Sequence, residues 1–264
     1  MQPQYSTAVG DIIEGAFSWH MWGRLGWLEI KRRYRRTLIG PFWTTLSLGI
    51  FILAMGIVWA HLWKQDPKAY LPFLCSGFLV WVLVSTTLIE GCAVFFSAEG
   101  LIKQLRFPYM TLVFSVVWRN LIVFLHNLVI FLLVSLYAGS KFTLATLLVV
   151  PGLLLVIANS LWMVLLLGLV CTRFRDVQQV MTSILQLSMF VTPIFWTVDQ
   201  LGQRFMAFID YNFLFHLVDI VRSPLLGQSP MPWSWLYVGG VTFSGWGITL
   251  ELFSRFRRRI TYWV

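Results

Sequence analysis

Chemistry in this 264-residue chain would have to come from a few polar groups set in apolar surroundings. His61 and Asp66 have the H-x-x-x-x-D spacing with which an aspartate orients a general-base histidine in some acyltransferases. His216 and Asp219 form a second, shorter pairing. Neither has a companion substrate motif, and spacings this short arise freely by chance. The chain has no D-x-D pair for a metal-bound nucleotide sugar, no H-E-x-x-H and no G-x-S-x-G. It also lacks G-x-x-x-x-G-K-[ST], so it has no triphosphate cradle of its own. Cys75, Cys92 and Cys171 sit in apolar runs without C-x-x-C or zinc spacing and read as small buried hydrophobes. No cofactor and no metal are expected.

The remaining polar groups lie inside long apolar stretches, where ionisable side chains are costly and face a bundle interior. Glu90 and Arg119 fall at similar depth on antiparallel segments, so an ion pair locking those segments is expected. His126, Asn120 and Asn127 continue the polar stripe around Arg119, the pattern of interhelical hydrogen bonding. Gln179, Thr182, Ser183 and Gln186 recur at spacings of three and four and give a membrane helix one polar face, which packs on protein or lines a path. Phe190, Phe195 and Trp196 surround Pro193 at the end of that helix, and Trp59 and Trp63 end another at the same level. Two readings stay open for these aromatics. They are an interfacial belt, or a stacking surface for sugar rings along a substrate path.

The elements that must hold these groups follow from composition. Hydrophobic residues make up 58% and charged residues 12%, about half the charge of a soluble domain. An all-α integral membrane protein is implied, because lipid leaves backbone groups no partner outside a helix. Six apolar runs reach spanning length: Leu38–Trp63, Leu71–Phe96, Phe107–Ala138, Leu144–Cys171, Val177–Val198 and Trp233–Phe253. With the N-terminus inside, fourteen basic residues fall on the cytoplasmic side. They are Arg24, Lys31, Arg32, Arg33, Arg35, Arg36, Lys103, Arg106, Arg173, Arg175, Arg255, Arg257, Arg258 and Arg259. Only Lys64, Lys68, Lys141, Arg204 and Arg222 fall outside, so both termini are placed in the cytoplasm. Membrane-flanking charge explains the basic tails without nucleic acid. The chain reads as one domain over residues 1–264: an amphipathic segment over 1–37, a six-helix body over 38–253 and a basic tail over 254–264. Trp19, Trp22, Trp27, Ile30 and Tyr34 alternate with basic residues, which suits an interfacial helix broken near Gly23 and Gly26. No secretory signal is read at the N-terminus. The connection Asp199–Pro232 keeps apolar stretches and reads as short re-entrant helices.

Ordered along the chain, several motifs resemble the membrane subunit of type-two ABC exporters for bacterial polysaccharides, closest to the O-antigen and lipopolysaccharide branch. They are Lys31–Arg36 leading into Leu38-Ile39-Gly40-Pro41-Phe42-Trp43, Leu71-Pro72-Phe73, Phe107-Pro108 with Trp118-Arg119-Asn120, Arg173-Phe174-Arg175-Asp176, Thr192-Pro193-Ile194-Phe195-Trp196, and His216–Gly227. One departure is Phe213 after Asn212, where the family often has Asn-Pro. The resemblance implies a multi-pass homodimer in the bacterial inner membrane, a polymer path between the subunits and two copies of a separate nucleotide-binding ATPase below. It implies export of a lipid-linked polysaccharide and no catalysis by this chain. Ser97–Arg106 then resembles the element that couples to the ATPase, with Leu101, Ile102 and Leu105 opposite Glu99, Lys103 and Arg106. Arg32, Arg33, Arg35 and Arg36 would meet the pyrophosphate of the lipid-linked glycan, and attraction to anionic lipid explains the same charges. The alternatives are a permease of the same architecture for a small molecule or lipid, and a membrane-embedded glycosyl- or acyltransferase.

Overall fold

The computed structural model describes residues 8–35, 40, 42–197 and 209–264, and those residues form helices and turns with no strand among them. In chain order the helices are α1 (Ala8–Phe17), α2 (Trp19–Arg33), α3 (Phe42–Leu62), α4 (Pro67–Cys92), α5 (Glu99–Gln104), α6 (Met110–Ala138), α7 (Val149–Arg173), α8 (Val177–Val191), α9 (Phe213–Leu225), α10 (Pro232–Phe256) and α11 (Ile260–Trp263). Single 3-10 turns precede α5 and α7 and follow α10. Four segments are long and apolar enough to cross a membrane: α3, α4, α6, and α7 together with the turn before it. The chain is therefore a multi-pass membrane protein.

The α10 helix has comparable length, but serines, glycines and tryptophans dilute it, and it is not among those four. The fifth expected span, Val177–Val198, is helical over only part of its length. Its helix stops at Val191 after 15 residues, with Thr192 extended at ψ 136°. Proline forces this, because Pro193 bars the helical conformation at the residue before it. Leu38, Ile39, Pro41, Arg36 and residues 198–208 lie outside the described residues, and with them the start of the first expected span and part of the long connection.

Helix ends follow local chemistry. Asp66 caps α4 by accepting from the Lys68 N–H at 3.0 Å, with Pro67 at the first turn. Asn212 caps α9 by accepting from the Phe215 N–H at 3.1 Å, so the helix starts here without a proline after Asn212. The α4 helix is the hub, packed by α3, α6, α7, α8 and α9. One core fills the space around it. A second joins α1, α5, α6, α7, α10 and α11 at the end where the described termini, Ala8 and Val264, lie. Large apolar side chains on α3, α6 and α8 stay exposed on the outside of the bundle.

The N-terminal segment breaks at Ser18, between α1 and α2, and not near Gly23 and Gly26. Gly26 serves close approach instead: a Cβ there would lie 3.0 Å from the Ser115 carbonyl oxygen of α6. The Ser18 hydroxyl donates back to the Glu14 carbonyl at 2.7 Å and seals the break.

Candidate functional site

The α2, α4 and α6 helices meet at a charge cluster near the end that carries the termini. The Arg119 Nε and Nη2 groups donate to Glu90 Oε2 at 3.1 and 2.6 Å. Asn120 donates to the same oxygen at 2.7 Å and to its own helix at Val116. Glu90 Oε1 accepts from Arg33 Nη2 at 2.5 Å, and Glu29 closes on the far side of Arg119. The Glu90 and Arg119 side chains are only 20% and 10% exposed. Glu90 thus ties three helices together. Sequence reasoning paired Glu90 with Arg119 but missed Glu29 and Arg33, whose i,i+4 spacing puts both on one face of α2. Burial alone would lower the Arg33 pKa, but hydrogen bonding and charge from Glu90 outweigh it, and the pKa is raised. That contact engages one end of Arg33, whose side chain stays half exposed. Arg32 and Arg35 stay exposed, and Arg36 lies outside the described residues. A cavity of about 400 Å3 opens here, lined by Arg32, Arg33, Glu29, Glu90 and Arg119. Further along α6, Asn127 accepts from Thr45 of α3 at 3.1 Å, and His126 Nδ1 lies 2.8 Å from its own helix at Ile122.

At the opposite end, the stop at Pro193 folds the chain into the bundle. The carbonyl groups it frees are satisfied from two sides. Tyr70 donates its hydroxyl to the Phe195 carbonyl at 2.6 Å, and Arg222 donates to that of Pro193 at 2.5 Å. Irregular backbone at membrane depth survives only with such partners. The turn delivers Phe195 as the centre of an aromatic cluster. Its ring centroid lies 5.9 Å from Trp59 and 6.2 Å from Phe190, both stacked. Trp59 stacks on Trp63 at 5.9 Å. Phe78 approaches Phe195 at 6.2 Å and stacks on Phe51 at 4.7 Å. Trp196 donates its ring N–H to the Phe190 carbonyl at 3.1 Å. All five aromatics singled out in the sequence share this region, and Phe78 and Phe51 extend it. Phe195 is 5% exposed, whereas Trp63 and Phe190 are 39% and 61% exposed and present ring surface.

The α8 helix buries only Leu185. Gln179, Ser183 and Gln186 are exposed and Thr182 is half-buried. The Thr182 and Ser183 hydroxyls turn back to their own helix at Gln178 and Gln179. Gln179 and Gln186 are exposed on a helix whose neighbours are α4 and α7. Lipid offers such groups no hydrogen bond, so water or another protein surface must cover them.

The segment after α4 forms a 3-10 turn and then α5. Glu99 and Lys103 pair at 2.6 Å, and the hydrogen bond from Lys103 holds the Glu99 pKa below its usual value. Ile102 is buried and Leu101 half-buried. Leu105 is corrected: it follows the helix in extended backbone and is 55% exposed, so it leaves the apolar face expected to hold it. Arg106 is exposed. Beside this segment, Asp11 is fully buried and does two jobs that sequence reasoning missed. It caps α6 by accepting from the Met110 N–H at 3.0 Å, and it pairs with Arg257 at 2.7 Å. The α11 helix packs on α5 and α7.

The histidine–aspartate spacings do not assemble. His61 Nδ1 bonds to Ile57 of its own helix, and Asp66 caps α4. His216 and Asp219 are bridged by Ser234, at 2.9 and 2.7 Å, in a buried tie between α9 and α10.

Comparison with known proteins places this architecture. The chain is 27% identical over 171 residues to an O-antigen export system permease protein RfbA from Myxococcus xanthus, covering 65% of this chain and 66% of the relative. Two proteins of the same name from Klebsiella pneumoniae are 20% and 19% identical, covering 88% and 81% of this chain and 90% and 78% of their own lengths. Residues 22–226 match the ABC-2 type transporter family. A match over that much of the chain shows that the protein is a transport subunit belonging to the ABC-2 type transporter family.

Proposed function

We propose that the chain is the transmembrane subunit of an ATP-driven exporter of a lipid-linked, O-antigen-like polysaccharide, with ATP hydrolysed on a separate subunit. The observation that carries this reading is the exposed polar row of α8 beside the aromatic cluster on Phe195. The row needs water or a second copy against it, and the rings offer weak, sequence-tolerant faces to sugars. In this reading two copies pair, two ATPase subunits sit beneath, and α8 and α10 complete six crossings. The α2 helix lies in the cytoplasmic interface of the bacterial inner membrane, with both termini cytoplasmic. The α9 helix, 13 residues long and buried among α4, α7 and α10, is the re-entrant piece. Glu99, Leu101, Ile102, Lys103 and Arg106 receive the ATPase movement. The Glu90 cluster passes it to α2 and α6 as a two-state shift. Arg32 and Arg35 face lipid or pyrophosphate.

Proteoliposomes test this. With the ATPase present, a polyprenyl-pyrophosphate glycan crosses only when ATP is supplied, and Trp59→Ala with Trp63→Ala slows it severalfold. Transport by this chain alone, or an unchanged rate in the double variant, overturns the proposal.

A further inference from the structure

A cavity of about 960 Å3 opens between the start of α4, α9 and the turn after α8, at the end away from the termini. Its wall carries Lys68, Tyr70, Phe73, Arg222, Ser223 and Gln228. Arg222 is 5% exposed. Its Nη1 donates to the Pro193 carbonyl, and its Cζ sits 4.6 Å over the Phe73 ring. Gly77 makes the room: a Cβ there would stand 3.3 Å from Nη1.

A guanidinium has five N–H donors, and here one is used on protein. The nearest carboxylate in sequence, Asp219, also lines the cavity and its charge acts on Arg222, but its hydrogen bonds go to other groups. It accepts from Ser223 at 2.6 Å, Ser234 at 2.7 Å and the Met231 N–H at 3.2 Å. Among the described residues no carboxylate forms an ion pair with Arg222. A buried cation with no directly paired carboxylate is only partly compensated, and an anion arriving in the cavity adds to that compensation. The planar fork of arginine suits two oxygens of one phosphate. Lys68 stands exposed at the rim and adds a second positive charge on the approach. Asp66, also at the rim, is occupied in capping α4.

We propose that this cavity is a phosphate-binding site, with Arg222 as its seat and Lys68 at its mouth. Two sources share that chemistry, the phosphate of a membrane lipid headgroup and the pyrophosphate of a lipid-linked glycan. The second source rests on the function proposed above, in which the cavity would receive the carrier on the far side of the membrane. The site itself does not depend on it.

The test is calorimetric titration of the purified full chain in detergent with inorganic pyrophosphate. Arg222→Gln is expected to weaken binding at least tenfold, Arg222→Lys less, and Lys68→Gln a few-fold. Should Arg222→Gln fail to fold, Lys68→Glu and Gln228→Glu stay on exposed positions and are each expected to weaken binding by charge alone. Competition with short-chain phosphatidylglycerol separates the sources: displacement of pyrophosphate identifies a headgroup site, and persistence identifies a pyrophosphate site. Equal affinity of wild type and all variants, or no binding by wild type at millimolar pyrophosphate, overturns the proposal. Binding that survives while ATP-driven glycan transport fails leaves the site standing and removes only its assignment to the carrier.

Discussion

Replacing Glu90 with glutamine removes one charge from the point where α2, α4 and α6 meet. Arg119, only 10% exposed, then loses the partner of two of its donors and keeps Glu29. Breaking a buried pair from one side costs about 3–5 kcal/mol, because the remaining charge is left uncompensated. Glu29 still neutralises part of Arg119, so the lower end of that range applies, about 3 kcal/mol. The Arg33 contact adds little, because that side chain is 50% exposed and surface pairs contribute at most about 1 kcal/mol. A loss of about 3 kcal/mol is roughly two orders of magnitude in a folding equilibrium. It lowers the melting temperature of a chain this size by about 6–12 °C. Thermal unfolding of the purified chain in detergent measures it, alongside Arg119→Gln, Arg33→Gln and the Glu90→Gln/Arg119→Gln double variant. The double variant should be less destabilised than the sum of the singles by at least about 1.5 kcal/mol, since each single change strands a charge that the other removes. Additive losses, or a Glu90→Gln shift under about 2 °C, refute the account of Glu90 as a three-helix tie.

Gly26→Val should detach α2 from α6, because the added branches meet the Ser115 carbonyl and Trp118, while Gly23→Ala should be neutral because nothing lies within 4 Å of a Cβ there; protease sensitivity of the N-terminal segment reports both. Asp11→Ala removes the cap of α6 and its own ion pair with Arg257, for a loss of about 2–4 kcal/mol, and hydrogen exchange should rise together in the first turn of α6 and the C-terminal tail. Glu99→Gln removes an exposed pair and should leave thermal stability unchanged while lowering ATPase activity stimulated by the assembled transporter. The lowered Glu99 pKa contributes only above its ordinary titration range and fades as pH falls through the folded value, so stability between pH 6 and 8 should not report on this residue.

The membrane body was legible wherever lipid is the judge. Lipid demands apolar runs, and α3, α4, α6 and α7 announce themselves by hydropathy. The stop at Pro193 was also legible, since proline restricts the residue before it by covalent geometry alone. Reading failed where a residue's role depends on a neighbour from another element. Gly26 looks like a helix breaker in its own sequence, and only the closeness of α6 makes it a packing position. Glu29 and Arg33 share a face of α2, but that periodicity does not say which helix the face meets. Phe51 and Phe78 sit in apolar runs indistinguishable from lipid-facing sequence, and the turn carrying Phe195 recruits them.

The same reasoning explains why the His216–Leu225 stretch looked like chemistry. A short helix with His216, Asp219 and Arg222 has the composition of an active site. Its aspartate and histidine hold α9 to α10 through Ser234, and the carboxylate accepts from three donors. A carboxylate so engaged reaches the arginine one turn later by its charge alone and makes no hydrogen bond to it. The tie that fastens α9 into the bundle therefore leaves Arg222 without an ion pair among the described residues, and it places that charge in the wall of the largest described cavity. Loosening the tie is expected to reverse this. In Ser234→Ala the Asp219 Oδ2 lone pair is freed toward Arg222, and pyrophosphate affinity should fall even though Ser234 is not among the residues lining the cavity. Unchanged affinity in that variant would separate the anion site from the α9–α10 tie.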